Sequence, residues 1–224
     1  MGHVTPKEHN APGASDWQTP SYILDLVRLV FPIGFDPASA PENPTGARLF
    51  WSPTTPERVG AGVHAGLCGL SDPWPEDLPG FVNPPWGAHL GKPGKVDPGK
   101  IVKREGRVLG RGVGWAEKIA RHRGELISLV PTRTDSSWFD RIHEAQHLRL
   151  DWRSATLRSR IQFIDPETGK VRGGNNSAVT FFYRGPRWRL FAAVFGAHGR
   201  LLPGGEARSD MVSELFGSGQ TRNV

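Results

Sequence analysis

In the stretch SDWQTPSYILDLVRLV the apolar residues Ile23, Leu24, Val27 and Val30 recur three and four positions apart, which is the spacing of a helix with one buried stripe. Thr19 is a cap candidate and Pro20 suits the first helical position, so a helix is predicted from about 20 to 30. Short apolar runs bounded by turn residues follow: IGFDP, ending at Asp36, ARLFWS, ending near Ser52, and GFVN from Gly80. Each predicts a strand. Residues 53–78, rich in Pro and Gly, read as a loop between the second and third of them. Beyond, VGWAEKIARHR predicts a helix, ELISLVPTR the strongest strand, and SSWFDRIHEAQ another short helix. HLRLDW, SRIQFIDPETGKVRGGNNSAVTFFY and RWRLFAAVF are mostly strand-like, with a turn at DPETGK. Strands alternating with helices over the first 150 or so residues predict an α/β fold, its central sheet mostly parallel with helices on both faces.

The 224 residues suit one hydrophobic core. Residues 1–15 read as a flexible leader, 16–203 as the single domain, and 204–224, polar and Gly-rich, as a loose tail. Cys68 is the only cysteine, which leaves no disulfide framework and no thiol cluster for a metal. The longest apolar run, LFAAVFGA, falls far short of a membrane span, and the N-terminal residues contain no signal-peptide pattern. A soluble, cytoplasmic protein without a membrane partner is expected.

Charge is informative once it is located. The chain carries a net +6, while residues 88–114 hold Lys92, Lys95, Lys100, Lys103, Arg104, Arg107 and Arg111 against Asp97 and Glu105, a net of +5. The same segment has seven glycines and two prolines, the composition of a loop. It reads either as a phosphate-binding arm for nucleic acid or as a solvated charge run. Its position directly after a rigid corner favours the arm.

That corner is GFVNPPWG, residues 80–87. Asn83-Pro84-Pro85-Trp86 cannot continue a central strand, because proline fixes φ and lacks the N–H. The two prolines leave carbonyls without neighbouring donors, so the corner presents acceptors, which suits an amino group. An exocyclic amine such as adenine N6 has its lone pair delocalised into the ring. If the Asn83 side-chain oxygen and the Pro84 carbonyl each accept one N–H, the nitrogen is drawn towards tetrahedral geometry and its lone pair becomes available for attack. Trp86 offers a flat surface for a base lifted from its duplex.

The order DWQTP at 16–20, FDPASAPEN at 35–43, FVNPPWG at 81–87, LVPTRTDSSWF at 129–139 and NSAVTFFY at 176–183 resembles the phage-type DNA adenine N6-methyltransferase family. The likeness implies a class I, Rossmann-like methyltransferase fold with one reversed strand near the end of its sheet, S-adenosylmethionine as cofactor and double-stranded DNA as partner. It implies that Asn83, Pro84, Pro85 and Trp86 form the catalytic loop. Asp36, Pro37 and Ala38 would line the methionine and ribose side of the cofactor pocket, and Trp17, Thr19 and Pro20 form an N-terminal cofactor element. Arg133 lies beside the active site in such proteins and joins the basic arm as a DNA-contact candidate. The chain departs from the pattern in three places. Trp86 stands where the family has Tyr, no Gly-rich loop follows Asp36, and Cys68 occupies the place of an acidic residue, with Asp72 as a possible substitute. Methylation of RNA or of a protein glutamine, or a non-catalytic DNA-binding module, are the alternatives.

Two other patterns lead elsewhere. His143-Glu144-Ala145-Gln146-His147 is literally H-E-x-x-H, a zinc-site pattern when both histidines share one helical face. No third ligand follows at the required spacing, and the second histidine falls where the helix gives way to LRLDW, so no metal is expected. GAGVHAG at 60–66 and GRGVG at 110–114 miss dinucleotide spacing and read as loop glycines. Trp51, Trp74, Trp115, Trp152 and Trp188 read as packing residues.

Overall fold

The computed structural model describes residues 18–52, 62–66, 69–70, 72–86, 114–153, 160–165, 169–171 and 178–217, with the backbone of 103–104 and 107–108. Its centre is an eight-stranded sheet. In chain order the strands are β1 (Phe35–Asp36), β2 (Leu49–Trp51), β3 (Val63–Gly66), β4 (Gly80–Val82), β7 (Leu126–Pro131), β8 (Leu148–Trp152), β9 (Val179–Arg184) and β10 (Gly199–Pro203). A separate two-stranded hairpin, β5 (Lys103–Arg104) with β6 (Arg107–Val108), lies within the basic segment. The spatial order of the large sheet is β10-β8-β9-β7-β4-β1-β2-β3. Neighbours from β3 to β7 are parallel; β9 runs antiparallel to both β7 and β8, and β10 antiparallel to β8. The sheet is therefore mostly parallel with two reversed strands, β9 and β10, one more than the resemblance implies.

Helices cover both faces. On one, α1 (Ser21–Val30) buries Ile23, Leu24, Val27 and Val30, and α4 (Trp188–Phe195) buries Trp188, Phe191 and Phe195, against Phe81, Leu129, Phe181 and Tyr183 of the strands. On the other, α2 (Trp115–Arg121) and α3 (Ser137–Glu144) pack Ile119, Phe139 and Ile142 against Val82, Leu126, Val130 and Phe182. The two sets alternate along β7 and β9, as the period-2 side-chain geometry of a strand requires. All six residues of β7 are buried, the pattern of a parallel strand covered on both sides.

Three predicted elements differ, and the strand-like SRIQFI forms only isolated bridges at Ile164 among its described residues. RWRLFAAVF forms α4 rather than a strand; its buried residues fall at 188, 191, 192 and 195, a helical stripe that a short apolar run does not reveal. Residues 63–66, read as loop, form the edge strand β3, and edge exposure, with Val63 60% exposed, removes the apolar signal. The expected tail from Gly204 contains α5 (Ser209–Phe216), whose Met211 is fully buried. No described helix is long and apolar enough to cross a membrane.

Candidate active site

The strand order changes direction between β1 and β4: the chain builds outward through β2 and β3, then returns to place β4 on the other side of β1. In open α/β sheets ligands bind at such a switch point, outside the carboxyl ends of the strands. Asp36 ends β1 and Asn83 directly follows β4, so the two residues singled out in the sequence stand at neighbouring strand ends. Phe35 pairs with Gly80 in the register between them. A Cβ at Gly80 would overlap the Phe35 ring, so only glycine allows β4 this close to β1.

Asn83 is held from both ends of its carboxamide. Its Nδ2 donates to Thr19 Oγ1 at 3.1 Å, and its Oδ1 accepts from Trp86 Nε1 at 3.0 Å. Thr19, buried, is itself positioned because Gln18 exchanges two backbone hydrogen bonds with Ile164, at 3.0 and 3.1 Å. Thr19 does not cap α1: the N-cap is Pro20, whose carbonyl accepts from Ile23 N and Leu24 N, with no side-chain cap. Pro84 is buried, while Asn83, Pro85 and Trp86 are half-buried. Trp86 packs edge-to-face with Phe163, ring centroids 4.9 Å apart. The corner is thus reachable yet supported, and it is not purely an array of acceptors, since the Trp86 indole is a donor spent internally.

Asp36 is buried and its carboxylate is shared between the Ala38 N–H at 3.0 Å on Oδ1 and the Thr45 hydroxyl at 3.0 Å on Oδ2. Burial pushes its pKa up to about 6, offset in part by these hydrogen bonds, and no cationic group acts on it among the described residues. Asn43, with φ of 50°, sets the turn behind it. Its Nδ2 donates to Ala47 O at 2.9 Å, and its Oδ1 accepts from Ala47 N at 3.1 Å. Pro37 is buried and Ala38 half-buried. A desolvated carboxylate lacking a cation favours a positively charged ligand group, and the first turn of α1 beside Thr19 has free N–H groups that favour a negative one.

A second loop closes the β1–β2 side. Lys118 of α2 donates its ammonium to the carbonyls of Gly69 (2.7 Å), Leu70 (3.0 Å) and Asp72, and lies over the Trp74 ring at 5.0 Å. Trp74 Nε1 also donates to Gly69 O at 2.6 Å. The Asp72 side chain accepts from Trp51 Nε1, at the end of β2, at 2.9 Å. Cys68, which stands where the family pattern has an acidic residue, lies outside the described residues.

Other predicted residues are distributed as follows. Arg133, just after β7, is exposed. Lys103, Arg104 and Arg107 lie on the β5–β6 hairpin, while Trp17, Lys92, Lys95, Lys100 and Arg111 fall outside the described residues. In the H-E-x-x-H stretch, α3 ends at Glu144 and His147 lies beyond it, its backbone N–H on Tyr183 O and its Nδ1 against Gly185, so the two imidazoles do not share a helical face. No group of three or more metal-ligating side chains occurs among the described residues. Thr45, Asn43, Phe163 and Lys118 complete the site and were not singled out for function in the sequence. Only the turn chemistry of Asn-Pro-Thr-Gly at 43–46 was a legible signal for any of them. Comparison of the chain with protein-family models, with curated proteins and with solved structures returns no match, so its function has to be argued from this geometry.

Proposed function

We propose that the chain is an S-adenosylmethionine-dependent DNA methyltransferase acting on adenine N6. The observation that carries this reading is the Asn83 carboxamide, held at the carboxyl end of β4 by Thr19 and Trp86 and adjoining the buried Asp36 at the end of β1. A carbonyl oxygen has two lone pairs, so Asn83 Oδ1 can accept one amine N–H while still bonded to Trp86. The Pro84 carbonyl, which accepts no backbone hydrogen bond among the described residues, can take the other. Both contacts strengthen as the amine nitrogen turns tetrahedral, which is the differential binding that accelerates a reaction. Asp36 and the start of α1 would hold the amino-acid end of the cofactor. When bound, that cofactor supplies an electrophilic methyl group. The class I, Rossmann-like reading of the fold is supported by the outward run β1-β2-β3, the return to β4, and the reversed β9 between β7 and β8. The net charge of the segment after the corner supports double-stranded DNA as the partner.

The test is transfer of a labelled methyl group to plasmid DNA by the wild type and by Asn83→Ala, with cofactor binding followed by calorimetry. Loss of transfer with binding retained supports the reading. Undiminished transfer by the variant refutes the role of Asn83. Cofactor binding by the wild type with no transfer to DNA directs the search to RNA or to a protein amide.

A further inference from the structure

The described arginines around β7 to β10 differ between the two sheet edges. At the amino end of β7 they are neutralised: Arg184 and Arg123 pair with Glu206, and Arg187 with Glu125. At the carboxyl edge, which carries Asn83, the exposed Arg133 (after β7), Arg153 (after β8) and Arg200 (on β10) make no ion pair among the described residues. Arg200 stands opposite Asp151 in the β10–β8 register, so the two side chains share a face. Asp151 is, however, paired with another arginine. Arg149 binds both its oxygens at 2.8 Å, and the Thr180 hydroxyl donates to Oδ1 at 3.0 Å. One carboxylate shared by two neighbouring arginines leaves a net positive charge at this edge.

The segment that bears these cations is stiff. Trp152 and His198 stack with ring planes 3° apart at 5.2 Å, the Arg153 N–H donates to His198 O at 3.1 Å, and Gly199 pairs with Trp152. Arg153 and Arg200 are therefore held on one junction without losing much backbone freedom on binding. Protection of an edge strand by a charged residue accounts for Arg200 on β10. It does not account for Arg133 and Arg153, which lie at strand ends.

We propose that Arg153 and Arg200, continuing from Arg133, form a phosphate-contacting surface along which duplex DNA runs outward from the Asn83 corner. From β7 to β10 is three interstrand spacings, about 14 Å, or roughly four base steps at about 3.4 Å each. This surface deepens the methyltransferase reading and rests on it for the identity of the polymer, since unpaired guanidinium groups at strand ends select an anionic backbone, not a sequence.

The experiment is fluorescence anisotropy of a labelled DNA duplex against salt concentration, using the full chain. Removing both arginines in R153A/R200A should lower the slope of log affinity against log salt by about 1.8, because each lost phosphate contact removes about 0.9. R153K/R200K should keep most of the slope. R48A, which removes an exposed, unpaired arginine just before β2 at the opposite edge, should leave it unchanged. The proposal is overturned if R153A/R200A keeps the wild-type slope, if R48A lowers it as much per arginine, if the wild type does not bind duplex DNA, or if single-stranded RNA of equal length binds more tightly. Duplex binding through these arginines without methyl transfer would sink the catalytic reading and leave the surface standing. Methyl transfer with an unaltered slope in R153A/R200A would do the reverse.

Discussion

The indole N–H of Trp86 donates to the side-chain oxygen of Asn83 at 3.0 Å, so the aromatic residue of the corner orients the carboxamide as well as offering a ring. A hydrogen bond of this kind contributes about 1 kcal/mol. Trp86→Phe retains an aromatic ring and deletes the donor, and on the proposed reading should slow methyl transfer roughly fivefold through kcat, with cofactor affinity unchanged. Single-turnover kinetics with DNA in excess is the measurement, and an unchanged rate means that the bond is not used for orientation.

Thr19 secures the other end of the same group. Thr19→Val leaves Asn83 Nδ2 without its acceptor and should cost about 1 to 3 kcal/mol, whereas Thr19→Ser should cost less than half of that. Urea denaturation of the two variants separates the hydroxyl from the methyl group.

The approach of β4 to β1 depends on Gly80 lying under the Phe35 ring. Gly80→Ala should destabilise the protein by about 1 to 3 kcal/mol or more by overpacking. Because the two strands carry Asp36 and Asn83, it should also reduce activity out of proportion to the folded fraction at low temperature. Activity that simply tracks the folded fraction would show that the strand spacing does not matter to the site.

Asp36, raised from 3.8 to about 6 by burial, takes up its proton more readily when folded than when unfolded. Between about pH 4 and 6 the native state therefore binds more protons, so this group's stabilising contribution is present at low pH and is lost as pH rises through the folded pKa. Asp36→Asn removes the effect. Relative to wild type, it should gain about 3 kcal/mol of stability from pH 4 to above 6. His122, His143 and His147, whose pKa values burial lowers, titrate in both proteins and largely cancel in the difference. Conversely, a cationic ligand at Asp36 should bind wild type more tightly as pH rises through about 6, which calorimetric titration with S-adenosylmethionine can follow.

Lys118 ties three carbonyls of the loop at 69–72 to α2. Lys118→Met should cost about 2 to 3 kcal/mol of stability and raise KM for the cofactor with little change in kcat, since the loop flanks the β1–β2 strand ends and not Asn83. Thermal melting and steady-state kinetics check the two halves separately.

The stripe at 23, 24, 27 and 30 made α1 legible, and the unbroken apolar run of β7 made that strand legible, because in both the buried face is written as a period of the residues themselves. The corner was legible for a related reason: two consecutive prolines exclude regular structure wherever they occur. FAAVF was ambiguous because a run of five apolar residues satisfies either period, and its packing against α1 and the sheet selected the helix. β3 and α5 carry weak patterns and are stabilised by what they adjoin, β2 in one case and the buried socket of Met211 in the other.

Local chemistry thus sufficed for the α/β class, the rigid turn at residues 83–86 and the nomination of Asn83, since each depends on backbone constraints or periodicity within a dozen residues, whereas Asp36 was singled out only by the resemblance of its motif. Tertiary structure alone decided that Thr19 serves Asn83 instead of α1, that Trp86 spends its N–H on the same carboxamide, and that Arg153 and Arg200 meet at one edge without an ion pair among the described residues. The Thr19–Asn83 bond joins residues 64 positions apart, and the other contacts likewise depend on where side chains and strands come to rest. Folding selects such contacts through the summed burial of the whole core, which no local stretch of the chain encodes.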